Sequence, residues 1–503
     1  MKKFDVVFIG SGHAAWHAAL TLKHAGKSVA IIEKDTIAGT CTNYGCNAKI
    51  LLEGPYEVLE EASHYPQIIE SDQLHVNWEN LMQYKKAVIN PLSNTLKSMF
   101  EQQGIEVIMG AGKLVDAHTV DVEGTPIQAE NIVIATGQHS NKLDIEGRAL
   151  THDSRDFLSL DKMPNSITFI GAGIISIEFS SIAIKSGAEV HVIHHTDKPL
   201  DGFNEKHIAK LIHKLESEGV NSISMKMFNQ YNKLGNSYHV TTETGLSVDT
   251  DYVLDATGRK PNVQNIGLDE LGIEYSEKGI QVDDYLRTNI HNIYASGDVL
   301  DKTIPKLTPT ATFESNYIAT HILGINPNPI QYPVIPSVLY SLPRLSQIGV
   351  TVKDAEQSEA YTIKDIPFGK QMVFEYKNET EAEMTIIINA DKQLVGAEIY
   401  ADDAANLINL LTFIVNQKLT AKDLNQLIFA FPRIIKRRAR FIKSSNDFRY
   451  INTEVRLPSL TRKTYLCFCF GKSSARNYLV SLLRQMHHFI CAICKYAINA
   501  PVC

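Results

Sequence analysis

One pattern of apolar and polar positions occurs twice along this chain. A short, continuous apolar run ends in a glycine turn, a helix-period run follows, and a second apolar run closes the unit. In the first copy, Asp5 to Ile9 reads as a strand buried on both faces, because Val, Phe and Ile fill it without polar alternation. Gly10-Ser11-Gly12-His13-Ala14-Ala15 follows and opens a helix predicted to run to about His24. The next strand is predicted over Ser28 to Ile32 and ends at Glu33. In the second copy the strand is Ser166 to Ile170 and the turn Gly171-Ala172-Gly173-Ile174-Ile175-Ser176. A helix over Ile177 to Ser186 and a strand over Glu189 to Ile193 complete it.

This strand-turn-helix-strand unit is the fingerprint of dinucleotide binding. Gly10 permits the tight turn, Gly12 lets the backbone approach a pyrophosphate, and Ala15 allows close helix-strand packing. The helix N-terminus supplies positive potential for phosphate. Glu33 lies 23 positions after Gly10, where a carboxylate would bind a ribose hydroxyl. In the second copy the same count from Gly171 lands on His194, with His195 next and Lys198 close by. An acid there would repel a 2′-phosphate, whereas these cations could accept one, which points to NADP over NAD. The same histidines also read as solvated strand-end residues. Two nucleotide folds imply two nucleotides, for which flavin and nicotinamide are the natural pair.

At 503 residues the chain is long enough for several domains. A hydrophobic share of 44%, a charged share of 21% and a net charge of −7 give no reason to expect nucleic acid as a partner. No apolar run of about 18 residues occurs, so no membrane span is expected. The N-terminus enters a strand at once and Asp5 interrupts its apolar run, so it does not read as a signal peptide. The cytoplasm is the expected compartment, where disulfides are usually catalytic. The only cysteines before Cys467 are Cys41 and Cys46, in Gly39-Thr40-Cys41-Thr42-Asn43-Tyr44-Gly45-Cys46-Asn47-Ala48-Lys49. A thiol pair just after a dinucleotide turn suggests electron transfer between nucleotide and sulfur. A structural disulfide or two unrelated thiols is the plainer alternative.

Roughly from residue 4 to 432, the chain resembles the pyridine nucleotide-disulfide oxidoreductases, the class of glutathione reductase, dihydrolipoamide dehydrogenase and mercuric reductase. The markers come in family order. Gly10-x-Gly12-x-x-Ala15 with Glu33 resembles the FAD site, and Gly39-Thr40-Cys41-x4-Cys46-x2-Lys49 the redox disulfide. Ile134-Ala135-Thr136-Gly137 and Asp255-Ala256-Thr257-Gly258-Arg259-x-Pro261-Asn262 resemble the domain crossovers. Ile293-Tyr294-Ala295-Ser296-Gly297-Asp298 resembles the second FAD motif, and Leu307-Thr308-Pro309 follows it. Ile335-Pro336-Ser337-Val338 through Gln347-Ile348-Gly349 resembles the dimerisation domain.

The resemblance implies an α/β fold of two Rossmann-like FAD/NAD(P)-binding domains plus an α+β dimerisation domain. It divides the chain into a first FAD-binding part at 1–145, an NAD(P)-binding domain at 146–265, a central domain completing the FAD site at 266–328, and a dimerisation domain at 329–432. It assigns FAD to the first turn, to Gly39, Thr40, Ala111, Thr136, Gly137 and Thr308, and to Asp298 on the ribityl chain. It assigns NADP or NAD to Gly171, Gly173, Ile175 and Gly258 with the strand-end cations. Lys49 and Glu178 occupy the positions of a lysine-glutamate pair at the reactive end of the flavin. Cys46 would face the flavin and Cys41 would attack the substrate. Electrons would then pass from NAD(P)H through FAD and the Cys41-Cys46 disulfide to a small disulfide, in a homodimer, with no metal. The expected activity is most like glutathione reductase. A related enzyme acting on dihydrolipoamide, a metal ion, a quinone or oxygen is the alternative, and a catalytically impaired flavoprotein is another.

The chain departs from the family pattern in three places. Ile174 stands where glutathione reductases commonly carry a tyrosine, which is closer to dihydrolipoamide dehydrogenases. Phe431, before Pro432, holds the place of the family's acid-base histidine, and Lys436 roughly that of its glutamate. Phenylalanine can neither accept nor donate a proton. From Arg433 to Cys503 there are 14 Lys/Arg against 2 Asp/Glu, and five of the seven cysteines. The Cys467-Phe468-Cys469 and His487-His488-Phe489-Ile490-Cys491-Ala492-Ile493-Cys494 runs allow a metal site or a second redox pair. The reading preferred on composition is a 433–503 tail produced by a change of reading frame.

Overall fold

The first apolar run forms the strand Lys2–Ile9, which begins at Lys2 rather than Asp5. Lys2 and Lys3 are exposed, yet their backbone is paired with Ile127 and Gln128 of the neighbouring strand. Ladder pairing extends the strand beyond what side-chain polarity suggests. The strand lies between Val29–Glu33 and Thr125–Ile134, parallel to both. Every residue of Val29–Glu33 is buried, as a central parallel strand requires. Glu106–Met109 pairs parallel on its outer side.

The strand Thr125–Ile134 is shared along its length. Its start pairs antiparallel with Thr119–Val122, and its end pairs parallel with Ile293–Ala295. Ile293–Ala295 reaches this sheet only after the chain has built a second nucleotide-type unit. That unit orders Asn221–Ser224, Glu189–His194, Ser166–Ile170 and Tyr252–Asp255 in one parallel sheet. The chain leaves and re-enters the first unit through Gln138–Ser140 and Arg259–Pro261, which pair antiparallel. The second helix runs Ile174–Lys185, so it starts directly after Gly173 and not at Ile177 as the sequence suggests.

The third sheet is antiparallel, ordered Ser337–Leu339, Arg344–Gly349, Leu394–Ala401, Glu383–Asn389 and Tyr361–Ile366. The helix Ala404–Asn416 packs its Leu407, Ile408 and Leu411 into the same core as Ile386 and Ile399 of this sheet. The architecture is α/β, with two doubly wound units and an α+β unit.

The three units meet on one helix, Cys46–Ser63. Its Ala48, Leu52 and Tyr56 are fully buried in a cluster with Phe169 and Phe179 of the second nucleotide unit and Leu339, Leu345 and Tyr400 of the antiparallel sheet. Burial of this kind is worth about 1.5–3 kcal/mol for a side chain of the size of Leu52. The computed structural model describes residues 1–70, 74–194, 199–224, 228–234, 237–242 and 247–428, all within the unit Met1–Ser444. Among the described residues, no helix is long and apolar enough to cross a membrane.

Candidate active site

The first glycine turn is built by contact. Gly10 has φ +107°, and a Cβ there would lie 2.3 Å from the Ala135 carbonyl oxygen, so only glycine fits against the crossover. Gly12 differs: its φ is −70°, and a Cβ would meet nothing within 4 Å. No side chain caps the helix His13–His24 that starts beside it, which leaves its N-terminal end able to accept an anion. Ala15 is fully buried under this helix. Glu33 closes the turn: its Oε2 accepts from the Ser11 N–H at 3.1 Å and from the Ser11 hydroxyl at 2.6 Å, and its Oε1 accepts from the Asp35 N–H at 2.9 Å.

Other positions named from the sequence gather around this turn. The Ala38 N–H donates to Ser11 Oγ at 2.8 Å, and a Cβ on Gly39 would come within 3.0 Å of Gly12 Cα. Thr40 is exposed next to it. Ala111 is exposed beyond the strand Glu106–Met109, and its neighbour Gly110 donates to the Glu33 carbonyl at 2.8 Å. Thr136 and Gly137 are tied to the second crossover: Thr136 Oγ1 donates to the Asn262 carbonyl at 2.9 Å, and the Asn262 N–H donates to Gly137 at 2.9 Å. A Cβ on Gly297 would lie 2.6 Å from Ala14 Cβ, which sets Asp298 against the start of the first helix. Burial raises the Asp298 carboxyl, opposed by Arg259, Lys302 and Lys306.

The two cysteines are held on separate helices. Cys41 lies in Gly39–Tyr44 and Cys46 is the first residue of Cys46–Ser63, with Gly45 between them. The sequence suggests one helix start around both. The chain instead breaks at Gly45, where a Cβ would lie 2.8 Å from the Thr40 carbonyl. Both cysteines are free thiols here. The Cys41 thiol is raised by its hydrogen bond to Cys46 and by burial, so it keeps its proton. Cys46 is lowered to about 6, first by that hydrogen bond and then by Thr308 and Lys49. Cys46 Sγ lies 3.6 Å from Thr308 Oγ1 at the start of Thr308–Ile322. Position also favours the thiolate, because Cys46 sits at a helix N-terminus.

Lys49 Nζ donates to both Glu178 oxygens at 2.8 Å, and Glu178 Oε1 also accepts the Tyr340 N–H at 2.8 Å. The second glycine turn repeats the logic of the first. Gly171 has φ +97°, with the Ala256 carbonyl 2.9 Å from a would-be Cβ, whereas Gly173 again faces open space. Ile174 is 46% exposed at that mouth, and Ile175 is half-buried beside it. The Gly258 carbonyl accepts the Asn141 N–H at 3.0 Å in the crossover. His194, expected to face a 2′-phosphate, is buried, and His195 and Lys198 lie outside the described residues.

Residues 4–315 match the family described as pyridine nucleotide-disulphide oxidoreductase, and residues 335–438 match its dimerisation domain. The chain belongs to this family. It is 28% identical over 445 residues to a dihydrolipoyl dehydrogenase of Geobacillus stearothermophilus, covering 86% of this chain and 93% of that protein. A glutathione reductase of Nostoc sp. is 28% identical over 455 residues, covering 85% and 97%. Among solved structures, the Cu(II) complex of the HOCl-induced flavoprotein disulfide reductase RclA from Escherichia coli superposes with a TM-score of 0.77 at 25% identity, covering 86% and 98%. Members of the family are FAD-dependent oxidoreductases that use NAD(P)H. The open cradle at Gly12, the capless helix start and the carboxylates of Glu33 and Asp298 fit such a dinucleotide.

Two buried charged clusters carry no sequence signal of their own. Arg344 donates to Glu53 at 2.7 Å and to Glu57 at 2.5 Å, both on the Cys46 helix. Glu314 has no exposure. It accepts the Gly297 N–H at 2.6 Å and the Tyr332 hydroxyl at 2.8 Å, and pairs with Lys302. The spacing of Cys46, Lys49 and Glu53 on one helix is the only clue the sequence offers to the first of these groups. Phe431, Lys436 and all five later cysteines lie outside the described residues.

Proposed function

We propose that this chain is an FAD-dependent NAD(P)H:disulfide oxidoreductase, like glutathione reductase, that reduces a small disulfide through Cys41 and Cys46. The observation that carries the reading is the asymmetric thiol pair: a proton-holding Cys41 hydrogen-bonded to a Cys46 lowered to about 6, beside the Lys49–Glu178 pair. Gly10, Gly12, Ala15, Glu33 and Asp298 would hold FAD, and Gly171, Gly173 and Ile175 the nicotinamide nucleotide. A bound flavin supplies the two-electron chemistry that links a hydride donor to a disulfide.

The residues of the chain then have distinct tasks. Cys41 attacks the substrate disulfide, and its proton passes to Cys46 along the existing hydrogen bond. A Cys41–substrate disulfide forms as the first thiolate leaves. Cys46 gives up its proton to that leaving thiolate and attacks the Cys41 sulfur, releasing the second thiolate and closing the Cys41–Cys46 disulfide. The substrate gains two electrons and the dithiol loses two. Lys49 stabilises the Cys46 thiolate, and Glu178 holds Lys49 in place. A homodimer is part of this reading, supported by the matched dimerisation domain. A cytoplasmic location fits a cysteine pair that serves catalysis rather than structure.

A second reading keeps the same thiols with another acceptor. It is supported by relatives described as dihydrolipoyl dehydrogenase and mercuric reductase, by the Cu(II) complex above, and by the aliphatic Ile174. Phe431 in the place of the family histidine favours an acceptor that needs no such acid. Anaerobic titration of the yellow protein with NADPH, then NADH, followed by oxidised glutathione, separates the readings. A long-wavelength thiolate band that appears and is discharged by glutathione supports the first. A band that persists with glutathione and is discharged by oxidised lipoamide or a metal ion supports the second. Cys41→Ser is expected to keep the flavin and its reduction by NAD(P)H while losing disulfide reduction. Undiminished disulfide reduction would refute the role given to Cys41.

A further inference from the structure

The helix that starts at Cys46 places Lys49 three residues on and Glu53 four beyond that, along one face. A second ring of contacts surrounds this face from the antiparallel sheet. The Tyr340 ring centroid lies 4.4 Å from Lys49 Nζ and 5.5 Å from Arg344 Cζ, so one ring is shared by two cations. The Arg344 fork reaches Glu53 through Nη2 at 2.7 Å and Glu57 through Nη1 at 2.5 Å, while Nη1 also donates to the Asp402 carbonyl at 3.1 Å. The Tyr340 N–H holds the Glu178 oxygen that Lys49 also uses.

We propose that Tyr340 and Arg344, from the dimerisation domain, are positioning residues for the Lys49 ammonium and, through it, for the ionisation of Cys46. The proposal rests on the reading of Cys41 and Cys46 as the redox pair. Lys49 pairs with Glu178 and also acts electrostatically on Glu53. Arg344 engages Glu53, which is 2% exposed and whose carboxyl burial pushes up to about 7 against the pull of Arg344. Without Arg344, Lys49 is the cation that remains to act on Glu53. Ionised Glu53 then draws Lys49 along the helix. Both the shift of Lys49 and the loss of the Arg344 charge withdraw positive potential from Cys46.

The other charged groups packed on this face act in known directions. Cys41 and Thr308 lower Cys46 by hydrogen bonds. Glu57 opposes Glu53 ionisation. Asp402, on the far side of Arg344, is itself raised by burial and faces His64 at 3.6 Å. Removing Arg344 also releases Glu57 and raises Asp402 further, so the Tyr340 variant, which keeps the Arg344 charge, is measured beside it.

The test uses the FAD-loaded full chain, reduced by two electrons, with its long-wavelength thiolate band and ultraviolet thiolate absorbance followed against pH. Arg344→Met is expected to move the midpoint up by about one pH unit, a tenfold change in proton affinity. Arg344→Lys, which restores the charge, is expected to recover at least half of that. Tyr340→Leu, at a half-buried position, is expected to raise the midpoint by about half a pH unit, a threefold change in proton affinity, and stands in if the arginine variant does not fold. Midpoints within twofold of the parent in the folded variants overturn the proposal while leaving the redox pair intact. A parent with no thiolate band at any pH overturns the redox-pair reading and this proposal with it.

Discussion

Both carboxylate oxygens of Glu178 lie 2.8 Å from the Lys49 ammonium, which fastens the second nucleotide unit to the helix carrying Cys46. The lysine side chain is 17% exposed and the glutamate 4%. In such a setting the Coulomb attraction is strong, but the desolvation cost is comparable, so the pair as a whole adds little net stability. Its value lies in geometry, because a third group, the Tyr340 N–H, donates to the same carboxylate.

Breaking this pair from one side is therefore expected to cost more than removing it. Lys49→Met leaves Glu178 buried with the Tyr340 N–H as its remaining donor, and a loss of about 3–5 kcal/mol in urea unfolding is expected. Glu178→Gln strands the lysine and is expected to cost a similar amount. The double variant should recover about 1–3 kcal/mol relative to the sum of the two. Strict additivity would show that the two side chains do not interact in solution.

The thiols give the reduced protein a defined dependence on pH. An ordinary thiol ionises near about 8.5. Cys46 in the folded state is lowered to about 6, through the Cys41 hydrogen bond first. A folded value below the unfolded one contributes stability that is fully present above about 8.5 and is lost as pH falls through 6. Cys41 is raised and acts in the opposite sense, its contribution being present below about 8.5 and lost above it. Of the two thiols, only Cys46 adds a pH dependence between about pH 6 and 8.5. The melting temperature of the reduced protein minus that of Cys46→Ser should rise across this window. A difference that stays flat would show that Cys46 is not held as a thiolate.

Much of this fold is legible in the sequence because its information is local. Gly10 and Gly171 each need a positive φ beside a crossover carbonyl, so the residue type and its place after an apolar run carry the whole signal. The helix break at Gly45 is also local but rests on a close approach to the Thr40 carbonyl and not on a positive φ, and the spacing of the cysteines conceals it. The contacts around Tyr340 and Arg344 are not legible, because Arg344 and Glu53 stand 291 positions apart and neither sits in a motif. Glu314 of Thr308–Ile322 sits in no motif, and only the approach of Gly297 and Lys302 shows that it is fully buried. His194 shows the reverse failure: a strand-end histidine read as available for a phosphate is buried.

The glycines of each turn divide into those that serve the fold and those that serve the proposed ligand, and this division can be tested. Gly10→Ala forces a Cβ to within 2.3 Å of the Ala135 oxygen at φ +107°. A loss of about 1–3 kcal/mol in urea unfolding is expected even without nucleotide. Gly12→Ala meets no protein atom within 4 Å and has an ordinary φ of −70°. Its cost to the apoprotein should stay within about 1 kcal/mol, the usual difference between glycine and alanine before a helix. The added methyl instead occupies the space in which a pyrophosphate would approach the helix start. FAD affinity, measured by quenching of flavin fluorescence, should fall at least about tenfold, the equivalent of about 1.4 kcal/mol. Gly173→Ala should leave flavin binding unchanged and raise the KM for the nicotinamide nucleotide by a similar factor. A Gly12→Ala protein that binds FAD as tightly as the parent would remove the first turn from the flavin site.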